Sequence, residues 1–358
     1  MRGCPVSAGL ATLAERAWTG DTPGARALRA SLVPAALAYA AVTAVRNRLY
    51  DGGWLAVARL PVTVLSVGNI AVGGTGKTPT ALWLAGQLRA RGRRVGIVAR
   101  GYRKARRGVV VVGEDGTPLV TPTEGGDEAV LLARRFTGPV VTGERRAEAA
   151  RVACARFGLD TIVLDDGFQH RALARDADLV LVTDATAAAW PLPAGPLREP
   201  RGALLRARAL LLVDGQRPPA AAVPVFRGHL RPTALVRAGP REWVEEPLAA
   251  LAGQPVLAVA GVARPERFVR TLAASGAVVE RLMRFPDHHP YGLDDVTRIA
   301  AAADGRLVLT TEKDLVKLAG QRGLPAVAAL RVTLEVEEDG ALVDLLLATA
   351  GTVALRPD

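Results

Sequence analysis

A chain of 358 residues, 49% of them hydrophobic, can bury a real core, which excludes a disordered segment or a disulfide-stapled miniprotein; its length predicts two domains. Lys and Arg outnumber Asp and Glu by 46 to 35, and the net charge of +11 calls for an anionic partner: nucleic acid, a membrane surface or a phosphorylated substrate. Only Tyr102 lies inside the main basic cluster, so the aromatic interleaving that stacks bases is missing and the lipid or phosphate reading gains over nucleic acid.

In chain order, residues 32–45 (LVPAALAYAAVTAV) form a short apolar helix flanked by Arg26, Arg29, Arg46 and Arg48. Fourteen apolar residues fall short of the roughly 20 that span a bilayer. Two readings stand side by side: a helix lying in a membrane interface with its arginines at the headgroups, or a helix packed on the core. Neither a spanning helix nor a secretion signal is read, so the protein is expected to face the cytoplasm. Cys4 and Cys154 have no metal or redox spacing, which suits a reducing compartment.

Residues 61–80 read PVTVLSVGNIAVGGTGKTPT, an apolar strand, a glycine-rich bend and a helix start. Backbone N–H groups along Gly73, Gly74, Thr75 and Gly76 can curl around phosphate oxygens, and the following helix points its positive end at the same anion. Lys77 is expected to reach the β- and γ-phosphates of ATP, and the Thr78 hydroxyl to bind Mg²⁺. The strict phosphate-loop pattern wants glycine at 71, where this chain has Ala71.

Helices are predicted at 77–91, 128–135 and 145–157, and strands at 62–67, 95–98, 109–112, 139–141, 161–164, 179–182 and 209–213. This alternation implies a parallel sheet covered by helices. Beyond residue 220 two long extended stretches, 225–236 and 328–336, bracket a second α/β unit. That unit has strands at 256–259, 277–283 and 307–309 and helices at 266–274 and 293–303. A last helix, 340–350, returns to the first domain. The fold class is α/β: a phosphate-loop parallel-sheet domain with a smaller α/β domain on a two-stranded linker. The expected boundaries are 1–222, 223–337 and 338–358.

Four groups of residues carry chemistry. The strand 161–164 ends in Asp165 and Asp166, a metal-holding pair if read with the phosphate loop and an Asp-Asp-Gly turn if read alone. Asp127 opens a helix, so it is either a helix cap or a general base for phosphoryl transfer. Asp287-His288-His289-Pro290-Tyr291 places a histidine beside a carboxylate, a device for tuning proton transfer; the alternative is a solvated turn. Thr310-Thr311-Glu312-Lys313-Asp314 follows a strand, where open α/β sheets bind ligands. Arg100-Gly101-Tyr102 and the stiff loop PAGPLREP (193–200) add further charge.

Together these pieces resemble the tetraacyldisaccharide 4′-kinase family. The resemblance rests on SVGNIAVGGTGKTP (66–79), ARGY (99–102), GGDEAVLLAR (125–134), LDDGFQH (164–170), GPLREP (195–200), FPDHHPY (285–291) and TTEKDLVKL (310–318), in family order. That family's phosphate loop also lacks the first glycine, which accounts for Ala71. The resemblance implies ATP- and Mg²⁺-dependent phosphorylation of an acylated glucosamine disaccharide 1-phosphate at the cytoplasmic face of the inner membrane, by a monomer that binds no nucleic acid. It implies that Lys77 and Thr78 bind ATP and Mg²⁺, with Asp165, Asp166 and Glu199 near the metal. Asp127 is the implied base, assisted by His288. Arg100, Tyr102, Arg198 and Arg145 or Arg146 are the implied substrate or phosphate contacts. Two departures stand out: Ala99 is where serine is common in the family, and Arg103 where glycine is common. A membrane-associated switch ATPase of the partitioning type shares the Gly-Gly-x-Gly-Lys-Thr run, but Val72 stands where that class carries an extra lysine.

Overall fold

The computed structural model describes residues 18, 20, 22–184, 186, 189–217, 222–239 and 243–348. Cys4 and the end of the expected last helix, at 349–350, lie outside these. The chain forms two compact units: Met1–Lys77, Thr161–Gly228 and Val336–Asp358 make one, Thr78–Asp160 and His229–Glu335 the other.

The first unit is built on a parallel sheet. Thr63–Asn69 lies between Thr161–Asp165 and Ala177–Val182, followed by Ala209–Val213 and the start of Val225–Ala238. These strands are buried almost throughout, as expected where both faces of a parallel sheet are covered. Ile70, Phe168, Val180, Leu197, Leu204 and Leu210 fill the core beneath the strand ends. The register sets Val67 beside Asp165, which brings the acidic strand end next to the strand feeding the glycine loop.

The N-terminal helix is longer than the sequence suggests. It runs Pro23–Asp51, 29 residues, with Thr22 accepting a capping hydrogen bond from the Ala25 amide and Pro23 at its first turn. At about 1.5 Å per residue it is roughly 43 Å long. By length and composition alone it is sufficient to cross a membrane, which corrects the expectation of a helix too short to do so. The apolar run counts only its middle; the cap and the arginine-bearing last turns extend it. Ala36, Thr43 and Asn47 are its buried residues, while Leu37, Val42 and Val45 are exposed.

In the second unit, Val95–Ala99 pairs in parallel with Val140–Thr142, and Val110–Glu114 joins it antiparallel. A further run of strands follows the order Val278–Arg284, Pro255–Ala260, Leu307–Thr311, Val327–Val336, Val225–Ala238, with Trp243–Glu246 antiparallel on the last. Along Pro255–Ala260 the side chains alternate. Val256, Ala258 and Ala260 pack with Phe268 and Leu272 of helix Pro265–Ala274. Leu257 and Val259 pack with Ile299 and Ala303 of helix Leu293–Ala303. The two extended segments at 225–238 and 327–336 are hydrogen-bonded neighbours, as the reading of a paired linker expects. Helices Asp127–Arg135 and Glu312–Leu318 pack against each other within this unit.

Candidate active site

The glycine loop leaves strand Thr63–Asn69 and is held by the 193–200 segment. The Arg198 amide donates to the Ile70 carbonyl at 2.7 Å, and the Val72 amide to the Pro196 carbonyl at 2.8 Å. Ala71 forms an antiparallel bridge with Leu197, an extended position that any residue adopts, so no glycine is needed there. The loop turns instead at Gly73 (φ +106°) and Gly76 (φ +91°), backbone conformations that favour glycine. A Cβ added at Gly73 or Gly74 would meet nothing within 4 Å, so the loop borders open space. Asn69 Nδ2 donates to the Thr75 hydroxyl at 2.7 Å and ties the bend to the strand. Lys77 opens the helix Lys77–Ala90, with Thr78 as its second residue.

Around the acidic strand end the charges interlock. Asp165 is buried; Asp166 turns away in the left-handed region (φ +53°) and lies 3.7 Å from the Lys77 ammonium. Arg198 forks between Asp166 at 3.0 Å and the Asn69 side-chain oxygen at 3.0 Å. Glu199, 1% exposed, accepts from Arg206 at 2.9 Å, Asn47 at 2.6 Å and Gln169 at 3.2 Å. Both of its oxygens are thereby engaged, which makes it a clamp for its neighbours. The N-terminal helix reaches the same loop: the Tyr39 hydroxyl donates to the Arg198 carbonyl at 2.9 Å, and Arg46 to the Gln169 carbonyl at 2.9 Å.

The second unit holds a separate charged cluster. Helix Asp127–Arg135 starts after Gly126, whose φ of +94° is a glycine conformation. Gly126 occupies the cap position, and Asp127 is the first helical residue, which sets aside the cap reading of Asp127. Asp127 is 7% exposed and lies 2.9 Å from Nδ1 of His288. Lys317 Nζ is 3.8 Å from the same carboxylate. Burial is the largest influence on Asp127 and pushes its carboxyl upward. The His288 hydrogen bond and the Lys313, His288 and Lys317 charges together outweigh burial and hold it below the ordinary carboxylate value.

His288 sits in the left-handed region (φ +61°), an unusual backbone for a non-glycine residue. His289 points elsewhere, to Asp295 at 2.7 Å, so the adjacent histidines share no ligand. The Tyr102 ring lies 5.0 Å from that of His288. Arg103 takes φ +57° and stacks its guanidinium on Tyr102. Arg100 and Arg145 are exposed; Arg146 is buried and donates to the Glu144 carbonyl at 3.2 Å.

The structure thus assembles Asn69, Thr75, Lys77, Asp165, Asp166, Arg198 and Glu199 in one unit, and Asp127, His288 and Tyr102 in the other. Asn47, Arg206 and Lys317 escaped the sequence reading. The signal for Lys317 is its i, i+4 spacing from Lys313, which sets both lysines on one face of helix Glu312–Leu318.

A glycine turn at the C-terminal end of a parallel strand, leading into Lys-Thr at a helix start, defines a phosphate-loop nucleotide-binding protein. The family model for tetraacyldisaccharide-1-P 4′-kinase matches residues 28–350. Curated tetraacyldisaccharide 4′-kinases are similar over most of the chain. The one from Anaeromyxobacter sp. (strain Fw109-5) is 44% identical over 90% of this chain and 92% of its own. The one from Syntrophus aciditrophicus is 37% identical over 87% and 90%. A crystal structure of LpxK from Aquifex aeolicus, described as an "apo" form in complex with ATP, superposes with a TM-score of 0.78 at 34% identity, covering 90% of this chain and 99% of that one. The chain belongs to the tetraacyldisaccharide 4′-kinase family.

Proposed function

We propose that this protein transfers the γ-phosphoryl group of ATP to the 4′-hydroxyl of a tetraacylated glucosamine disaccharide 1-phosphate, giving the lipid A precursor lipid IVA. The observation that carries this reading is the open glycine turn, Gly73 to Gly76, ending in Lys77-Thr78 in a member of this family. The substrate oxygen attacks the γ-phosphorus, the bond to ADP breaks, and the hydroxyl proton passes to Asp127. Ionised Asp127, hydrogen-bonded to His288, is suited to accept it.

Gly73, Gly74, Thr75 and Gly76 bind the phosphates through backbone amides, and Lys77 neutralises the β/γ charge. Among the described residues no three His, Cys, Asp or Glu side chains converge as a metal cage. Two carboxylates and a hydroxyl fit Mg²⁺, which takes few protein oxygens and completes its shell with substrate phosphate and water. Asp165, Asp166 and Thr78 would hold it, and when bound it supplies charge neutralisation at the phosphates. Glu199, which accepts from Arg206, Asn47 and Gln169, is a further carboxylate near the metal in this reading. Arg198, Arg100, Tyr102 and one of Arg145 and Arg146 contact substrate or nucleotide phosphates.

The exposed apolar residues of helix Pro23–Asp51 support seating on the cytoplasmic face of the inner membrane, where the lipid substrate resides. The protein acts as a monomer with kinase domain 1–222, smaller domain 223–337 and returning segment 338–358. Labelled ATP offered with the purified disaccharide lipid tests the reading. Label is expected in the lipid; label in inorganic phosphate alone overturns the kinase in favour of a switch ATPase.

A further inference from the structure

A helix on a protein surface ordinarily buries its apolar stripe and turns its polar residues to water. Helix Pro23–Asp51 does the reverse over its second half: Leu37, Val42 and Val45 are exposed, while Thr43 and Asn47 are buried. Tyr39, Thr43, Arg46, Asn47 and Tyr50 recur at helical spacing and line one face. From that face Asn47 Nδ2 donates to Glu199 Oε2 at 2.6 Å, and Arg46 to the Gln169 carbonyl at 2.9 Å. In return Arg171 donates to the Asn47 carbonyl at 2.9 Å, which closes a clasp between the helix and residues 169–171.

The clasped residues hold the nucleotide site. Both protons of Gln169 Nε2 are used, one on the Asn69 carbonyl at 2.8 Å and one on Glu199 Oε1 at 3.2 Å. Gln169 Oε1 accepts at 3.3 Å from Arg198, whose guanidinium also binds Asp166 and Asn69. Asn69 in turn donates to Thr75 in the phosphate loop. Hydrogen bonds therefore run without a gap from Asn47 through Glu199, Gln169 and Asn69 to Thr75. Arg206 supplies the opposite charge to both Glu199 oxygens, at 3.1 and 2.9 Å, so Asn47 serves the carboxylate's orientation and not its charge. We propose that Asn47 is a positioning residue: from the N-terminal helix it fixes Glu199 and Gln169, and through them Arg198 and the phosphate loop. Without its amide, Glu199 Oε2 keeps Arg206 alone, and Gln169 loses the rigid acceptor that sets its side chain. The proposal rests on the kinase reading for its effect on rate, and on geometry alone for the ordering of the loop.

Hydrogen–deuterium exchange on the full-length protein without ligand is the first test. In Asn47→Leu the amides of residues 69–78 should exchange about tenfold faster, with strand Val95–Ala99 unchanged as the control. With ATP and the lipid acceptor, kcat should fall about 10- to 100-fold, as for one lost hydrogen bond to a charged group. KM for the lipid and binding to anionic vesicles should stay within about twofold, because Leu37, Val42 and Val45 remain in place. Asn47→Leu combined with Gln169→Leu should lose less kcat than the product of the two single effects. Unchanged exchange at 69–78 overturns the proposal, as does a double variant whose losses simply multiply. Should Asn47→Leu not fold, Arg46→Met decides by the same exchange measurement, since it removes the donor to the Gln169 carbonyl. Faster exchange at 69–78 then supports the proposal, and unchanged exchange overturns it. The exchange needs no substrate, so a wild type that fails to label the lipid refutes the kinase reading and leaves the ordering of the loop standing.

Discussion

The phosphate loop and the Asp127 cluster are built by opposite means. The loop comes from one stretch, residues 69–78, and its geometry is backbone: two positive-φ glycines, open space and a helix start. The Asp127 cluster draws on three distant stretches, at 127–128, 287–288 and 313–317, and its geometry is side-chain charge. A backbone cradle tolerates a side-chain change such as Ala71, because Ala71 contributes only an extended bridge to Leu197. A charge cluster has no such slack, since each buried group depends on the others for its ionisation.

The comparison breaks most visibly at Asp127. Asp127→Asn keeps the shape and removes the proton acceptor, so kcat should fall by roughly 10²–10⁴ with ATP affinity little altered. His288→Ala should also lower kcat, and the double variant should lose less than the product of the two if they act as a unit. Steady-state kinetics with the lipid acceptor decide; full kcat in Asp127→Asn removes the base assignment. Lys77→Ala should cost about 10²–10³ in rate, the loss of one preorganised charge at the phosphates. Its fold should survive, because the lysine's ion pair with Asp166 is loose at 3.7 Å. Near-normal turnover in the folded variant would sink the phosphate-loop role.

A smaller effect tests the N-terminal helix. It fastens to the rest of the phosphate-loop unit through Asn47, Tyr39 and Arg46, while Leu37 and Val42 are 58% and 70% exposed. Replacing Leu37 and Val42 by Glu should leave the fold intact and weaken binding to anionic vesicles by about 100-fold, from two lost apolar insertions. Unchanged sedimentation with vesicles would place the membrane contact elsewhere.

Much of this was legible in the sequence where the signal is local. Strand Ala209–Val213 and helix Leu293–Ala303 fall where their apolar patterns predict, and the Gly-Lys-Thr start lies on a helix as expected. The Asp127–His288 pairing spans 161 residues, and no periodicity carries such a distance; only the family resemblance pointed to it. The apolar run understates helix Pro23–Asp51, because the helix ends are polar while its backbone hydrogen bonding continues. Glu199 was legible as a conspicuous carboxylate but not as a clamp, since Asn47 and Arg206 approach it from other parts of the chain.

The smallest expected effect separates the electrostatic role of Asp127 from its catalytic one. Its folded carboxyl lies below the ordinary value of 3.8, despite burial, because His288 and the two lysines favour the charged form. A carboxyl depressed in the folded state stabilises the protein above its unfolded value, and that contribution is lost as pH falls through the folded one. Asp127→Asn cannot ionise, so it lacks this contribution at every pH. The difference in thermal stability between wild type and Asp127→Asn should therefore be constant between about pH 6 and 8 and shrink below about pH 4. Thermal melts across that range check it. A difference that widens toward acid would mean that burial wins over the surrounding cations, and that the cluster leaves Asp127 less ionised than its contacts indicate.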